Sequence, residues 1–178
     1  MLWGFHLAQH TITDTNNSTN ILYKSSNFVL SLRQNKHLIY SKYEILFLCR
    51  GNVGRSQIAE ALFKKSFGNQ HEIISAGTKL SGPEQPIGDL MPGIQEVLDV
   101  MKEEGIDVSM NVRKQLTEEM VESVDKVVAI MEEHEELPEY LINSGKLVRW
   151  NVLDPKGKDL GATREIKNKI KELIEGWE

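Results

Sequence analysis

The clearest pattern along the chain is an unbroken apolar run, Ile45-Leu46-Phe47-Leu48-Cys49, ending in a turn that bears Gly51 and Gly54. An apolar run without alternation predicts a strand covered on both faces, as in a parallel sheet. Beyond the turn, Ser56 can cap a helix whose apolar positions Ile58, Ala59, Ala61, Leu62 and Phe67 share one side, with Gly68 closing it. Residues 72–75 read as a second short strand with Gly77 in the turn behind it, and 82–88 as a loop. Pro92 suits the first turn of a helix carrying Ile94, Val97, Leu98 and Met101, with Gly105 past its end. Thr117-Glu118-Glu119 opens a short helix to about residue 122, and 127–131 is a third apolar strand followed by an acidic helical stretch. A fourth strand covers 147–152, and Ile166, Ile170, Leu173 and Ile174 place a last helix over about 162–177. Strands alternating with helices imply right-handed crossovers. The expected class is α/β, in three layers: a four-stranded parallel sheet with helices on both faces.

Ahead of residue 43 the regular pattern stops, and there the composition changes the picture. Residues 1–42 carry five charged side chains (Asp14, Lys24, Arg33, Lys36, Lys42), whereas 43–178 carry 42, so a segment of charge +3 precedes one of charge −8. The first segment is rich in Asn, Ser and Thr and has three of the five histidines. It lacks the basic start and apolar core of a secretory signal, and its single arginine does not make a mitochondrial presequence. The expectation is a poorly ordered extension over 1–42, or sequence preceding the true start of translation, in front of a folded unit at 43–178. Short apolar runs at 28–32 and 38–40 allow a strand or helical turn within it.

Charge and cysteine content narrow the function. A net charge of −5 argues against a general nucleic-acid binder, which presents basic surface to phosphates. The single cysteine excludes an intramolecular disulfide scaffold and a cysteine-ligated metal centre, and favours a reducing, cytoplasmic setting. No apolar run approaches the roughly 20 residues of a membrane span.

Sheets of this class bind ligands at the carboxyl ends of their strands. After the first strand stands Cys49-Arg50-Gly51-Asn52-Val53-Gly54-Arg55-Ser56. A cysteine at the mouth of a loop that leads into a helix amino terminus lies among backbone N–H groups and a helix dipole, an environment that holds anions and favours the thiolate. Gly51 and Gly54 supply the permissive backbone such a loop needs. Arg55, six residues after Cys49, can return to grip two oxygens of a tetrahedral oxyanion in bidentate fashion. Ser56 can donate its hydroxyl to the sulfur. A phosphate ester attacked by the sulfur would give a cysteinyl-phosphate, and its leaving group then needs a proton. Asp154-Pro155, directly after the fourth strand and on the same sheet edge, supplies the best-placed carboxyl.

These three features, C-x5-R-S after the first strand, Ser75-Ala76-Gly77-Thr78 after the second and Asp154-Pro155 after the fourth, resemble the low-molecular-weight protein tyrosine phosphatase family over essentially all of 43–178 and none of 1–42. The resemblance implies Cys49 as nucleophile, Arg55 as phosphate-binding arginine, Asn52 and Ser56 as residues that hold the loop and assist the thiolate, and Asp154 as general acid. It implies a phosphate loop of Arg50, Gly51, Asn52, Val53, Gly54, Arg55 and Ser56, a cytoplasmic location, and an enzyme without metal or other cofactor. Three departures stand out: Lys156-Gly157-Lys158 where phosphotyrosine-directed members place aromatic residues, Arg50 as a second loop arginine, and Asn111 where many relatives carry histidine. These resemble the arsenate-reductase-like branch more.

The leading expectation is therefore hydrolysis of a phosphomonoester, on a phosphorylated protein or a small aryl phosphate. Arsenate has the geometry of phosphate and fits the same cradle, but its reduction requires further thiols. With one cysteine, an arsenate reductase of this sequence must borrow an external thiol or redox protein. A third reading is a non-catalytic phosphate-binding or phosphocarrier module. A Walker A reading of Gly54-Arg55-Ser56 is weaker, since Cys49 replaces the first glycine and Arg55 the lysine. Nucleic acid and membrane partners are not expected. His71, His134 and the acidic run 132–136 read as solvated, the latter as an exposed helix face, and Trp150 as core or rim.

Overall fold

The computed structural model describes residues 42–177 and, ahead of them, three backbone strands, β1 (Ile21–Ser25), β2 (Phe28–Leu32) and β3 (Leu38–Ile39). These pair antiparallel in the order β1-β2-β3. The chain divides into two units, Met1–Ser41 and Lys42–Glu178. The expected poor order of 1–42 falls mostly on residues outside those described.

The second unit is built on β4 (Glu44–Cys49), β5 (Glu72–Gly77), β6 (Lys126–Met131) and β7 (Leu147–Asn151), all parallel in the order β5-β4-β6-β7. β4 is thus flanked on both sides, and its residues Ile45 to Leu48 are 0% exposed. Five α-helices of the described residues complete it, with two short 3-10 turns: α1 (Arg55–Phe67), α2 (Gln95–Glu103), α3 (Glu118–Ser123), α4 (Glu139–Ile142) and α5 (Leu160–Glu175).

Strand periodicity sorts the β4 side chains into two cores. Ile45 and Phe47 pack with Ile58 and Phe63 of α1, Leu98 of α2 and Ile170 of α5. Leu46 and Leu48 pack with Val121 of α3 and Leu141 of α4 on the other face. The continuous apolar run is explained: each of its residues has a core to enter, and burying each such side chain contributes roughly 1.5–3 kcal/mol. Trp150 of β7 joins the first core at 8% exposed, stacked at a tilt on Phe47. No helix of the described residues is long and apolar enough to cross a membrane.

Several local expectations shift. α1 starts at Arg55 with Gly54 as its N-cap, so Ser56 is not the cap; its hydroxyl is used inside the loop. Pro92 stands outside α2, whose N-cap is Ile94. α5 begins earlier than its apolar spacing indicates because Asp159 caps it, Oδ1 accepting from the Ala162 N–H at 2.8 Å. Residues 132–136 form a turn rather than a helix, and α4 follows only after Pro138.

Candidate active site

The loop between β4 and α1 is shaped by Asn52, which holds φ +50°, a left-handed conformation that asparagine tolerates better than most residues. Its fully buried side chain is hydrogen-bonded at both ends. Nδ2 donates to Ser56 Oγ and to Ser75 Oγ, each at 2.9 Å, while Oδ1 accepts from the Lys114 N–H at 2.8 Å and from Gln57 Nε2 at 3.3 Å. Gln57 Oε1 in turn accepts from Asn111 Nδ2 at 3.0 Å. Asn52 and Ser56 therefore stand behind the loop and brace it, and Ser75 of β5 belongs to the same network. Two glycines make the close approaches possible. A β-carbon on Gly77 would meet the Arg50 carbonyl and the Asn52 nitrogen at 2.9 Å, and one on Gly54 would meet Pro155 Cγ at 2.7 Å.

Cys49, at the end of β4 and 3% exposed, has Sγ 3.0 Å from Ser56 Oγ. Ser56 Oγ accepts from Asn52, and its hydroxyl hydrogen remains available to the sulfur. Gly54 brings no side-chain cap to α1, so the first-turn N–H groups keep their capacity for an anion.

Arg55 is 2% exposed and has four of its five N–H groups engaged. Nη1 donates to Glu135 Oε2 at 2.6 Å and to the Val152 carbonyl at 3.2 Å; Nη2 donates to Glu135 Oε1 at 3.1 Å and to Asp154 Oδ2 at 3.2 Å. Burial alone would draw the guanidinium down, but the Glu135 hydrogen bond and the negative charges around it push it above the ordinary arginine range. Burial raises the Glu135 carboxyl, and this is outweighed by Arg55 and by the Glu132 N–H, which donates to Oε2 at 2.8 Å; the net shift is downward. Asp154 is fixed by its own neighbours: its N–H donates to Glu132 Oε1 at 3.1 Å and its Oδ1 accepts from the Lys156 N–H at 3.0 Å.

Cys49, Arg55 and Asp154 line one cleft of about 560 Å³, in whose wall Arg50, Gly51, Val53 and Gly54 also stand. The sequence-expected residues are thus brought together, with Asn52 and Ser56 one layer behind. Glu135 was not legible: it is one of four glutamates in 132–136, 80 residues from Arg55, and no spacing distinguishes it from the other three. Arg113, a further lining residue 3% exposed, was missed as well. Among the described residues no group of three or more His, Cys, Asp or Glu side chains is gathered to hold a metal ion.

Comparison with known proteins agrees with this geometry. The low molecular weight phosphotyrosine protein phosphatase family profile matches residues 44–178. "Arsenate reductase 2" of Staphylococcus epidermidis is 29% identical over 136 residues, covering 76% of this chain and 96% of that protein. The structure of a low molecular weight protein tyrosine phosphatase from T. tengcongensis superposes with a TM-score of 0.61 at 30% identity, over 75% of this chain and 96% of the other. The YwlE arginine phosphatase from Geobacillus stearothermophilus superposes with a TM-score of 0.61 at 26% identity, over 75% and 88%. With the profile spanning the whole sheet and the cysteine loop at the end of its central strand, the chain belongs to the low molecular weight phosphotyrosine protein phosphatase family and is a cysteine-dependent phosphatase of that family.

Proposed function

We propose that Cys49 is the nucleophile, Arg55 the oxyanion-binding group and Asp154 the general acid of a phosphomonoester hydrolase. The observation that carries this reading is that one cleft holds all three groups: Arg55 lines it with Cys49, and Arg55 Nη2 is hydrogen-bonded to Asp154. In the resting geometry Nε–H alone has no protein partner among the described residues. An incoming phosphoryl group takes Nε–H and displaces Asp154 from Nη2, which completes a bidentate grip and releases the carboxyl toward the leaving group. Freed from Arg55, Asp154 takes up a proton from solvent; Cys49 Sγ then attacks phosphorus, the P–O bond to the leaving group breaks, and Asp154 gives that oxygen this proton. Water next attacks the cysteinyl-phosphate, Asp154 takes a proton from it, and the S–P bond breaks to return the thiolate and inorganic phosphate. The phosphoryl oxygens are met throughout by the loop N–H groups and Arg55, which is the electrostatic part of the rate.

Hydrolysis of p-nitrophenyl phosphate near pH 6 tests this directly. Wild type is expected to turn over and Cys49→Ser not to; release of product without dependence on Cys49 removes the assignment. Asp154→Asn is expected to slow poor leaving groups by roughly 10²–10⁴ while affecting good ones far less.

The names of the curated relatives support a second reading, arsenate reduction. With one cysteine in the chain, the thiol that takes over the arsenic adduct must come from outside. Arsenate supplied with glutathione or thioredoxin, in parallel with the phosphatase assay, separates the two: turnover with an external thiol and none with the aryl phosphate would favour the reductase.

A further inference from the structure

Arg113 is a largely buried charge without an acid to answer it, its terminal nitrogens keeping an opening to the cleft. It is 3% exposed, yet among the described residues it forms no ion pair, and its one hydrogen bond runs from Nε to the Pro83 carbonyl at 2.8 Å. Arg55, buried to the same degree, has Glu135 and Asp154. An unpaired buried guanidinium is costly, and buried charges are as a rule paired or hold a ligand. Space has also been cleared for it: Gly82 stands at φ +139°, and a β-carbon there would lie 2.9 Å from Nη2.

The surroundings share this bias. Arg50, Lys79 and Lys156 line the same cleft, are exposed, and have no ion pair among the described residues; against these and the paired Arg55 the lining holds two carboxylates, Glu96 and Asp154. Elsewhere in the unit, by contrast, Lys65, Lys167 and Lys171 converge on one carboxylate, that of Glu104. Residues 43–178 carry a charge of −8, so an opening lined by five cations and two acids runs against the balance of the unit. No Phe, Tyr or Trp among the described residues lines the cleft to clamp an aryl ring.

We propose that the cleft contains a second anion subsite, built on Arg113 with Lys79 and Lys156 at its rim, and that the substrate is a phosphomonoester bearing a second anionic group, a carboxylate or another phosphate, beyond the reacting one. The proposal rests on the phosphatase reading above. The unit as a whole repels anions, so any preference for a doubly anionic substrate must arise locally, at these side chains.

The test is kcat/KM of the full chain for p-nitrophenyl phosphate and for two matched pairs. One pair is a phosphotyrosyl peptide flanked by glutamates or by glutamines; the other is fructose 1,6-bisphosphate or fructose 6-phosphate. Wild type is expected to favour the doubly anionic member of one pair by about tenfold or more, the size of one charge-assisted hydrogen bond, and Arg113→Met to abolish the preference. A preference in the peptide pair identifies an acidic phosphopeptide, and one in the sugar pair a small bisphosphate. Equal rates within both pairs, or a preference that survives Arg113→Met, overturns the subsite. Where Arg113→Met lacks a cooperative melting transition, Lys79→Gln makes the same comparison: a drop in the preference of about threefold supports the subsite and an unchanged ratio overturns it. Turnover of p-nitrophenyl phosphate that depends on Cys49 leaves the phosphatase reading standing if the subsite fails; no turnover on any of these substrates removes both.

Discussion

Glu135 decides which edge of Arg55 faces the cleft. Its two oxygens take one hydrogen from each terminal nitrogen, so the guanidinium cannot rotate about its stem, and Nε–H is left without a protein partner among the described residues, available to the proposed oxyanion. Glu135→Gln keeps the shape and removes the charge. It is expected to lower kcat/KM for p-nitrophenyl phosphate by about tenfold, most of it in KM, with the inhibition constant of inorganic phosphate rising in parallel. A phosphate inhibition constant equal to that of wild type would show that Arg55 orients itself without this partner. The positions of Cys49, Arg55 and Asp154 were legible because each depends on local chain: a fixed offset within one loop, or the residue that follows a strand. Glu135 and Arg113 were not, because what makes them special is a partner gained, or withheld, by the tertiary fold. A buried acid and a solvated acid have the same letter.

Among the elements, α1, α2 and α5 are tied at a single carboxylate. Glu104, just past the end of α2, accepts from Lys167 of α5 at 2.7 Å, from Lys65 of α1 at 3.2 Å and from Lys171 of α5 at 3.3 Å. The Lys167 hydrogen bond, helped by Lys65 and Lys171 and opposed by burial, holds the Glu104 carboxyl at about 2, against an ordinary 4.5. A depressed carboxyl contributes stability that is fully present above its unfolded value and is lost as pH falls through the folded one. Thermal melts should therefore show this contribution intact at pH 6, weakening below about 4.5 and gone near 2. Glu104→Gln should cost about 2–4 kcal/mol at pH 7, since the Lys167 side chain, 6% exposed, is left without its partner. The mutant should also lose less than wild type between pH 6 and pH 3, and identical acid sensitivity of the two proteins would remove the assignment. Helix existence was readable from apolar spacing, as in α5, whereas helix starts were not. Asp159 moves the beginning of α5 and Gly54 that of α1, because the cap is set by which backbone N–H groups find an acceptor.

At the level of the whole unit, the alternation of strand and helix led to the four-stranded parallel sheet and its two helical layers. Strand order was not legible, since the same alternation fits several parallel arrangements, and only the pairing of β4 with both β5 and β6 shows that the cysteine loop leaves the centre of the sheet. That central position has a kinetic consequence. Amide hydrogens of 46–48, in a strand paired on both sides, should exchange with deuterium only through global opening, while that of Gly157, on an exposed turn and without an acceptor among the described residues, exchanges quickly. Heat inactivation and the change in tryptophan fluorescence from Trp150 and Trp177, which pack edge-to-face in the first core, should then coincide. Activity lost well below the fluorescence transition would mean that the loop melts on its own. Anchored in this way, a loop of tolerant glycines shares the lifetime of a strand paired on both sides, and partial opening at the sheet edges leaves Cys49 in place.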